Sequence, residues 1–180
     1  FVQTVGKEIR IIDRYANTGY WLEHYANVLK EKWYRYKTHY FPHDIRQREL
    51  SSWLTRLETA IKLLWDICKV VPMNSLESGI DAGRLIFKNL WIEEWLDEFI
   101  NNLSLYQYEW DDKLWQFKKV PIHDFTSHDA DWFRYMATTY NILIRGDSKE
   151  IAQEHPMELH PYSYRKEEVA FEFAVDDKVY

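Results

Sequence analysis

Tyr34-Arg35-Tyr36-Lys37-Thr38-His39-Tyr40-Phe41-Pro42-His43-Asp44 reads as a β-strand that runs into an acidic residue. Aromatic and β-branched side chains favour extended, half-buried backbone. Pro42 has no amide hydrogen to give to a ladder, so the strand ends there. Asp44 then stands at the strand's C-terminal edge, the edge where sites form in open α/β sheets. Asp44 also reads as a loop carboxylate that caps the segment after it.

The flanking sequence fits a strand in this position. Upstream, the extended run 2–5, Gly6-Lys7 and Glu8-Ile9-Arg10-Ile11-Ile12-Asp13 predict a β-hairpin. Gly6 takes the turn position that needs positive φ. Leu22, Tyr25, Ala26, Val28, Leu29 and Trp33 recur at helical spacing and predict a helix over 21–33. Downstream, Thr55-Arg56-Leu57-Glu58 is a capping box that starts a helix to about residue 66. Cys68-Lys69-Val70-Val71-Pro72 predicts a short strand, and Asn74 with Glu77 starts a helix to about residue 87. Residues 90–106 read as one helix carrying Trp91, Trp95, Leu96, Phe99 and Leu103. Residues 108–117 read as a second hairpin turning at Asp111-Asp112, and Ser127 caps a last helix to about residue 144. Strands alternating with helices after an antiparallel start indicate an α/β fold with a mixed sheet. The strands near 8–13 and 37–41 are expected as neighbours in one sheet. After Gly146 the chain turns polar, so 146–180 reads as an extension to a domain spanning 1–145.

The composition agrees with one folded domain of ordinary size. The chain has 180 residues, 46% of them hydrophobic and 29% charged, and its 17% aromatic share is far above that of disordered chains. Cys68 is the one cysteine, which excludes an internal disulfide and a multi-cysteine zinc site, and suits a reducing compartment. No apolar run approaches the roughly 20 residues of a membrane span, and no signal peptide is recognisable. The chain opens on Phe1-Val2-Gln3 and reads as an excerpt of something longer. Net charge is −6. Binding to nucleic acid would therefore rest on a local basic patch.

Three spots carry candidate chemistry. Asp44 is the first. Lys30, Lys32, Arg35 and Lys37 precede it, and Arg46 and Arg48 follow. Such a run either is a solvated helix end or holds a phosphate backbone. The second is His123-Asp124-Phe125-Thr126-Ser127-His128-Asp129-Ala130-Asp131. In a helix capped by Ser127, His128 and Asp131 are three apart and share a face. An imidazole and a carboxylate so placed can hold a divalent metal; the other reading has His128 on the surface and the acids complementing the helix dipole. Asp129 points elsewhere and suits the positive end of that dipole. The third spot, Glu93, Glu94, Asp97 and Glu98, reads as a solvated face. Trp21, Trp33, Trp65, Trp95 and Trp132 sit at helical spacings and read as core. No Walker motif and no G-x-S-x-G occurs.

Taken together, residues 8–44 ending in Pro42-His43-Asp44, then Thr55-Arg56-Leu57-Glu58, the stretch from Val70-Val71-Pro72 to Ile86-Phe87, and Pro121-Ile122-His123-Asp124 through Ser127-His128-Asp129-Ala130-Asp131-Trp132-Phe133-Arg134-Tyr135 resemble the C-terminal nuclease domain of tailed-phage terminase large subunits. The resemblance covers about residues 1–143. It implies an RNase H-like mixed sheet flanked by helices. It implies a metal-dependent endonuclease that cuts concatemeric viral double-stranded DNA during genome packaging in the host cytoplasm. Portal, procapsid and terminase small subunit are the implied partners. The implied ligands of a two-ion Mg²⁺ or Mn²⁺ site are Asp44, Asp131 and His128. The family's first carboxylate lies on a strand ahead of the one that Val2 to Val5 match, so this chain is expected to lack one ligand and to cut weakly or not at all. Two other readings are kept: a different RNase H-like nuclease of resolvase or integrase type, and a non-catalytic module that docks on a portal or procapsid through its aromatic and acidic surface.

Overall fold

The computed structural model describes residues 1–48, 54–64, 68–145, 152–153 and 170–171, with side chains through residue 142. The chain opens with β1 (Val2–Val5) and β2 (Glu8–Ile11), an antiparallel hairpin whose turn is made by Gly6 at φ +60°. α1 (Leu22–Glu31) crosses to β3 (His39–Phe41), and a 3₁₀ turn, His43–Arg46, follows Pro42 at once. α2 (Arg56–Leu64) leads into β4 (Cys68–Val70), which lies parallel to β3. Next come α3 (Leu76–Ile86), β5 (Leu90–Ile92) and α4 (Asp97–Leu105). A hairpin of β6 (Tyr108–Asp111) and β7 (Gln116–Pro121) leads to the long α5 (Phe125–Arg145). Two short strands, β8 (Ala152–Gln153) and β9 (Ala170–Phe171), pair with β4 and β1.

The fold is mixed α/β, with small mixed sheets flanked by helices. One sheet runs β5-β2-β1-β9, with β5 parallel to β2; another runs β3-β4-β8. The expected pairing of the strands near 8–13 and 37–41 is not what forms: β2 and β3 belong to different sheets. The reason is occupancy of edges. β5 takes the outer edge of β2 and β9 takes the outer edge of β1, and β9 also packs beside β3 without joining its ladder.

Helices cover β3 and β4 on both faces, and all three residues of β3 are buried, as a parallel strand between two layers requires. On one face Tyr40 and Val71 join Val2, Ile9, Ile11, Phe99, Phe133 and Met136 in the larger core. On the other, Phe41, Cys68 and Val70 pack with Ile45, Leu57 and Ala60. Burial pushes the Tyr40 hydroxyl up to about 12. α3 and α5 approach closely because α3 presents glycines: a Cβ on Gly83 would stand 2.9 Å from the Phe133 ring, and one on Gly79 would stand 3.1 Å from Arg134 Cβ.

Several sequence expectations change here. The span 90–106 is a strand, a turn and a helix, so Trp95 lies in the turn and is exposed while Leu96 and Phe99 are buried. α1 stops at Glu31, which leaves Trp33 beyond the helix and fully exposed; Trp21, just ahead of α1, is exposed too. Trp132 packs edge-on against Phe99, and Trp65 lies outside the described residues. α3 is capped by Ser75, whose side chain accepts from the Ser78 amide. α5 starts two residues before Ser127: Asp124 Oδ1 accepts from the Thr126 amide at 2.9 Å and the Ser127 hydroxyl turns back to the Asp124 carbonyl. The Asp111 turn forms as expected, its carboxylate accepting from the amides of Lys113 and Leu114. Within 146–180, Ala152–Gln153 and Ala170–Phe171 extend the two sheets; Phe173 and Val175 lie outside the described residues.

Candidate functional site

Asp44 is placed by the abrupt end of β3. Pro42 stops the ladder, the chain winds into one 3₁₀ turn, and Asp44 lands in its first residues. Asp44 Oδ1 is buried and has no hydrogen-bond partner among the described residues. A carboxylate oxygen in that state lacks the donors that normally offset its desolvation. Its neighbour His43 brings Nδ1 to 3.4 Å from the Tyr135 hydroxyl, which comes from α5.

Asp131 lies one turn before Tyr135 on α5. Its carboxylate is bound by the guanidinium of Arg134. Both acids act on Tyr135: burial chiefly, then the charges of Asp44 and Asp131, raise its hydroxyl above the ordinary 10, while Arg134 opposes them. Tyr106, at the end of α4, is likewise raised by burial first; Arg134 lowers it and Asp131 raises it. The structure thus sets His43, next to Asp44, against Tyr135, which lies one turn after Asp131 on α5, and pairs Asp131 with Arg134; the charges of Asp131 and Arg134 also act on Tyr106. Sequence reasoning singled out the two aspartates and left the other four without a role. His43, Arg134 and Tyr135 lie inside the stretches that carry the resemblance; Tyr106 gives no signal of its own.

His128 stands on another side. It lines a cavity of about 380 Å³ together with Tyr15, Tyr25, Phe125, Asp129 and Trp132, and its ring packs against His123 with centroids 6.2 Å apart. Behind this cavity is the best-satisfied charge of the molecule. Arg14 donates from Nε at 2.7 Å and from Nη2 at 2.9 Å to the two oxygens of Asp129, and Asn102 donates to Oδ2 at 2.6 Å. Arg14 also reaches Glu98 at 3.0 Å. Asp129 is therefore a buried ion-pair partner, where its position near the helix start suggested only a dipole role. No local pattern announces this, because Arg14 and Asp129 are 115 positions apart.

The basic residues divide. Lys32 is engaged by Asp13 and lies over the Phe1 ring, so it is a structural cation. Lys30, Arg35, Lys37, Arg46 and Arg48 are exposed on α1's end and on the lead-in and exit of β3. Burial, with Lys37 nearby, lowers the Lys69 ammonium below its ordinary 10.5. The acids 93–98 are largely solvated, as expected.

Carboxylate oxygens are hard donors of the kind that suit Mg²⁺ or Mn²⁺, and the buried Asp44 Oδ1, without a partner among the described residues, is one such oxygen. Among the described residues, no group of three or more His, Cys, Asp or Glu is arranged to hold a metal ion. Nor is any described helix long and apolar enough to cross a membrane. Comparison of the chain with protein-family models, with curated proteins and with solved structures finds no match.

Proposed function

We propose that this chain is an RNase H-like nuclease domain of the terminase large-subunit type, with Asp44 and Asp131 as the acids that serve phosphodiester hydrolysis. The observation that carries the proposal is the Asp44 oxygen, buried without a donor among the described residues, on the turn whose His43 faces the Tyr135 hydroxyl, one helical turn after Asp131. Folding alone does not favour a carboxylate left in this state. A cation supplies what it lacks. Divalent ions, when bound, generate the nucleophilic water and stabilise the leaving oxygen. The chain's own share is to fix the two acids on rigid elements, one after a buried strand and one on the longest helix. Tyr135, packed behind them, keeps the site drier on that side.

The topology counts against the RNase H-like part of this reading, because β2 and β3 belong to different sheets where that fold would join them in one; the proposal rests on the acids and not on the strand order. The exposed Lys37, Arg46 and Arg48 flank Asp44 and suit a phosphate backbone. His128 enters as a ligand by its helical spacing from Asp131 and by resemblance; its place on the cavity wall adds no support.

The test is DNA cleavage with Mn²⁺, measured for this chain and for one extended upstream by a strand carrying an acid. The extended chain should cut double-stranded DNA, this chain little, and Asp44→Asn or Asp131→Asn should abolish cutting. Undiminished cutting by both variants would end the proposal. A second reading, a docking module for a portal or procapsid, rests on the exposed tryptophans Trp33, Trp91, Trp95 and Trp115. It predicts binding without cleavage, and loss of binding on Trp→Ala changes that leave the aspartates intact.

A further inference from the structure

The two buried side-chain atoms without a hydrogen-bond partner among the described residues are Asp44 Oδ1 and Arg134 Nε. One is an acceptor of a negative group and the other a donor of a positive group. Arg134 immediately precedes Tyr135 on α5, and His43, next to Asp44, brings its Nδ1 to 3.4 Å from the Tyr135 hydroxyl. Arg134 spends its Nη2 on Asp131, three residues earlier on the same helix. Its stem lies over Gly79 of α3, where a Cβ would meet Arg134 Cβ at 3.1 Å, Cδ at 3.3 Å and Nη1 at 3.4 Å. Glycine at that point leaves the arginine room to lie flat between the helices.

We propose that Arg134 is the resident counter-charge of the site: it occupies Asp131 while no divalent cation is present and must give that carboxylate up, wholly or in part, when one binds. This rests on the nuclease reading of Asp44 and Asp131. The physical reason is competition. Asp131 offers one negative charge, and a guanidinium already neutralises it. A divalent ion on the same carboxylate meets a fixed positive charge within a few ångströms, which lowers its affinity. Arg134 thus sets the threshold of cation concentration at which the site fills. It is a positioning residue, since it acts on the reaction through Asp131.

The experiment is Mn²⁺ titration of the intact chain, following loss of the free-ion electron spin resonance signal, with thermal denaturation in parallel. Asp44→Asn identifies the binding that belongs to this site. Arg134→Gln should tighten that Mn²⁺ affinity about tenfold, as expected for removing one charge at a partly exposed site, and should lower the melting temperature of the metal-free form. Arg134→Lys keeps the charge and should bind Mn²⁺ within about twofold of the parent, because the charge sets the threshold. Arg134→Met keeps the stem against Gly79 and should match Arg134→Gln, which guards against a variant that simply fails to fold. Tighter binding in Arg134→Gln or Arg134→Met supports the proposal, including the case where the parent binds too weakly to detect. If the parent binds at the Asp44-dependent site and both variants bind no tighter, the counter-charge role is overturned and the nuclease reading stands. If no chain shows Asp44-dependent binding, both fall together.

Discussion

Replacing Asp44 by Asn tests the site in the absence of any substrate. The change preserves shape and removes a charge from an oxygen that is buried and has no donor. An unsatisfied buried polar atom costs about 1–3 kcal/mol. Part of that cost remains in the variant, because an Asn oxygen in the same place still lacks a donor. Relief of repulsion between the acids adds little, since Arg134 neutralises Asp131 and the Asp131 side chain is 39% exposed. The net expectation is a gain of about 1 kcal/mol for the metal-free protein, or roughly 2–4 °C in melting temperature for a chain of this size. The assay is thermal denaturation in a chelator and again in millimolar Mn²⁺. The parent should be stabilised by Mn²⁺ through preferential binding to the folded form, and Asp44→Asn should lose most of that response. A variant that melts lower in chelator, or that keeps the parent's Mn²⁺ response, would show that Asp44 is an ordinary structural carboxylate.

Arg14→Met should destabilise by about 2–3 kcal/mol in urea titrations, below the full cost of breaking a buried pair because the adjoining cavity lets water reach Asp129; adding Asp129→Leu should recover part of the loss, and a strictly additive double variant would argue against a coupled pair. Gly83→Ala should cost about 1 kcal/mol by chemical denaturation, because a clash with the Phe133 ring at 2.9 Å outweighs the helix propensity gained; a stabilised variant would mean that α3 and α5 separate freely. The Glu58 carboxyl is held below its ordinary 4.5, first by the Thr55 amide and then by the Thr55 hydroxyl. Its contribution is therefore present above about pH 4.5 and lost as pH falls through the lowered value, and Glu58→Gln should flatten that acid limb in a melting-temperature series.

The parts legible in the sequence are those that local patterning controls. Gly6 between two extended runs places the first hairpin, the Thr55 capping box starts α2, and the Asp111 turn closes the second hairpin. Each needs only its near neighbours. The tryptophans were misread because helical spacing was extended past the true ends: α1 stops before Trp33, and a turn rather than a helix holds Trp95. Strand partnership was misread for a different reason. Which edge of β1 and β2 is free depends on β5 and β9, roughly 80 and 170 positions away, and no short pattern encodes that. Asp44 and Asp131 were visible as acids following recognisable elements, whereas Arg14 and Asn102 became partners of Asp129 only through packing.

That last contrast separates an acid that the fold satisfies from acids that it satisfies less. Asp129 and Asp131 are two residues apart on α5, which turns their side chains to opposite sides of the helix. Asp129 accepts from Arg14 and Asn102, both anchored on other elements, and is almost wholly buried. Both of its oxygens have donors, three in all, and a guanidinium balances its charge. Among the described residues, Asp131 has an ionic partner only on its own helix, and Asp44 has a buried oxygen with no partner. Degree of satisfaction, more than burial or position on a helix, is what distinguishes the three. A structural carboxylate is complete when the chain has folded, whereas Asp44 keeps one buried oxygen without a partner among the described residues; under the proposed function, a cation would supply what that oxygen lacks.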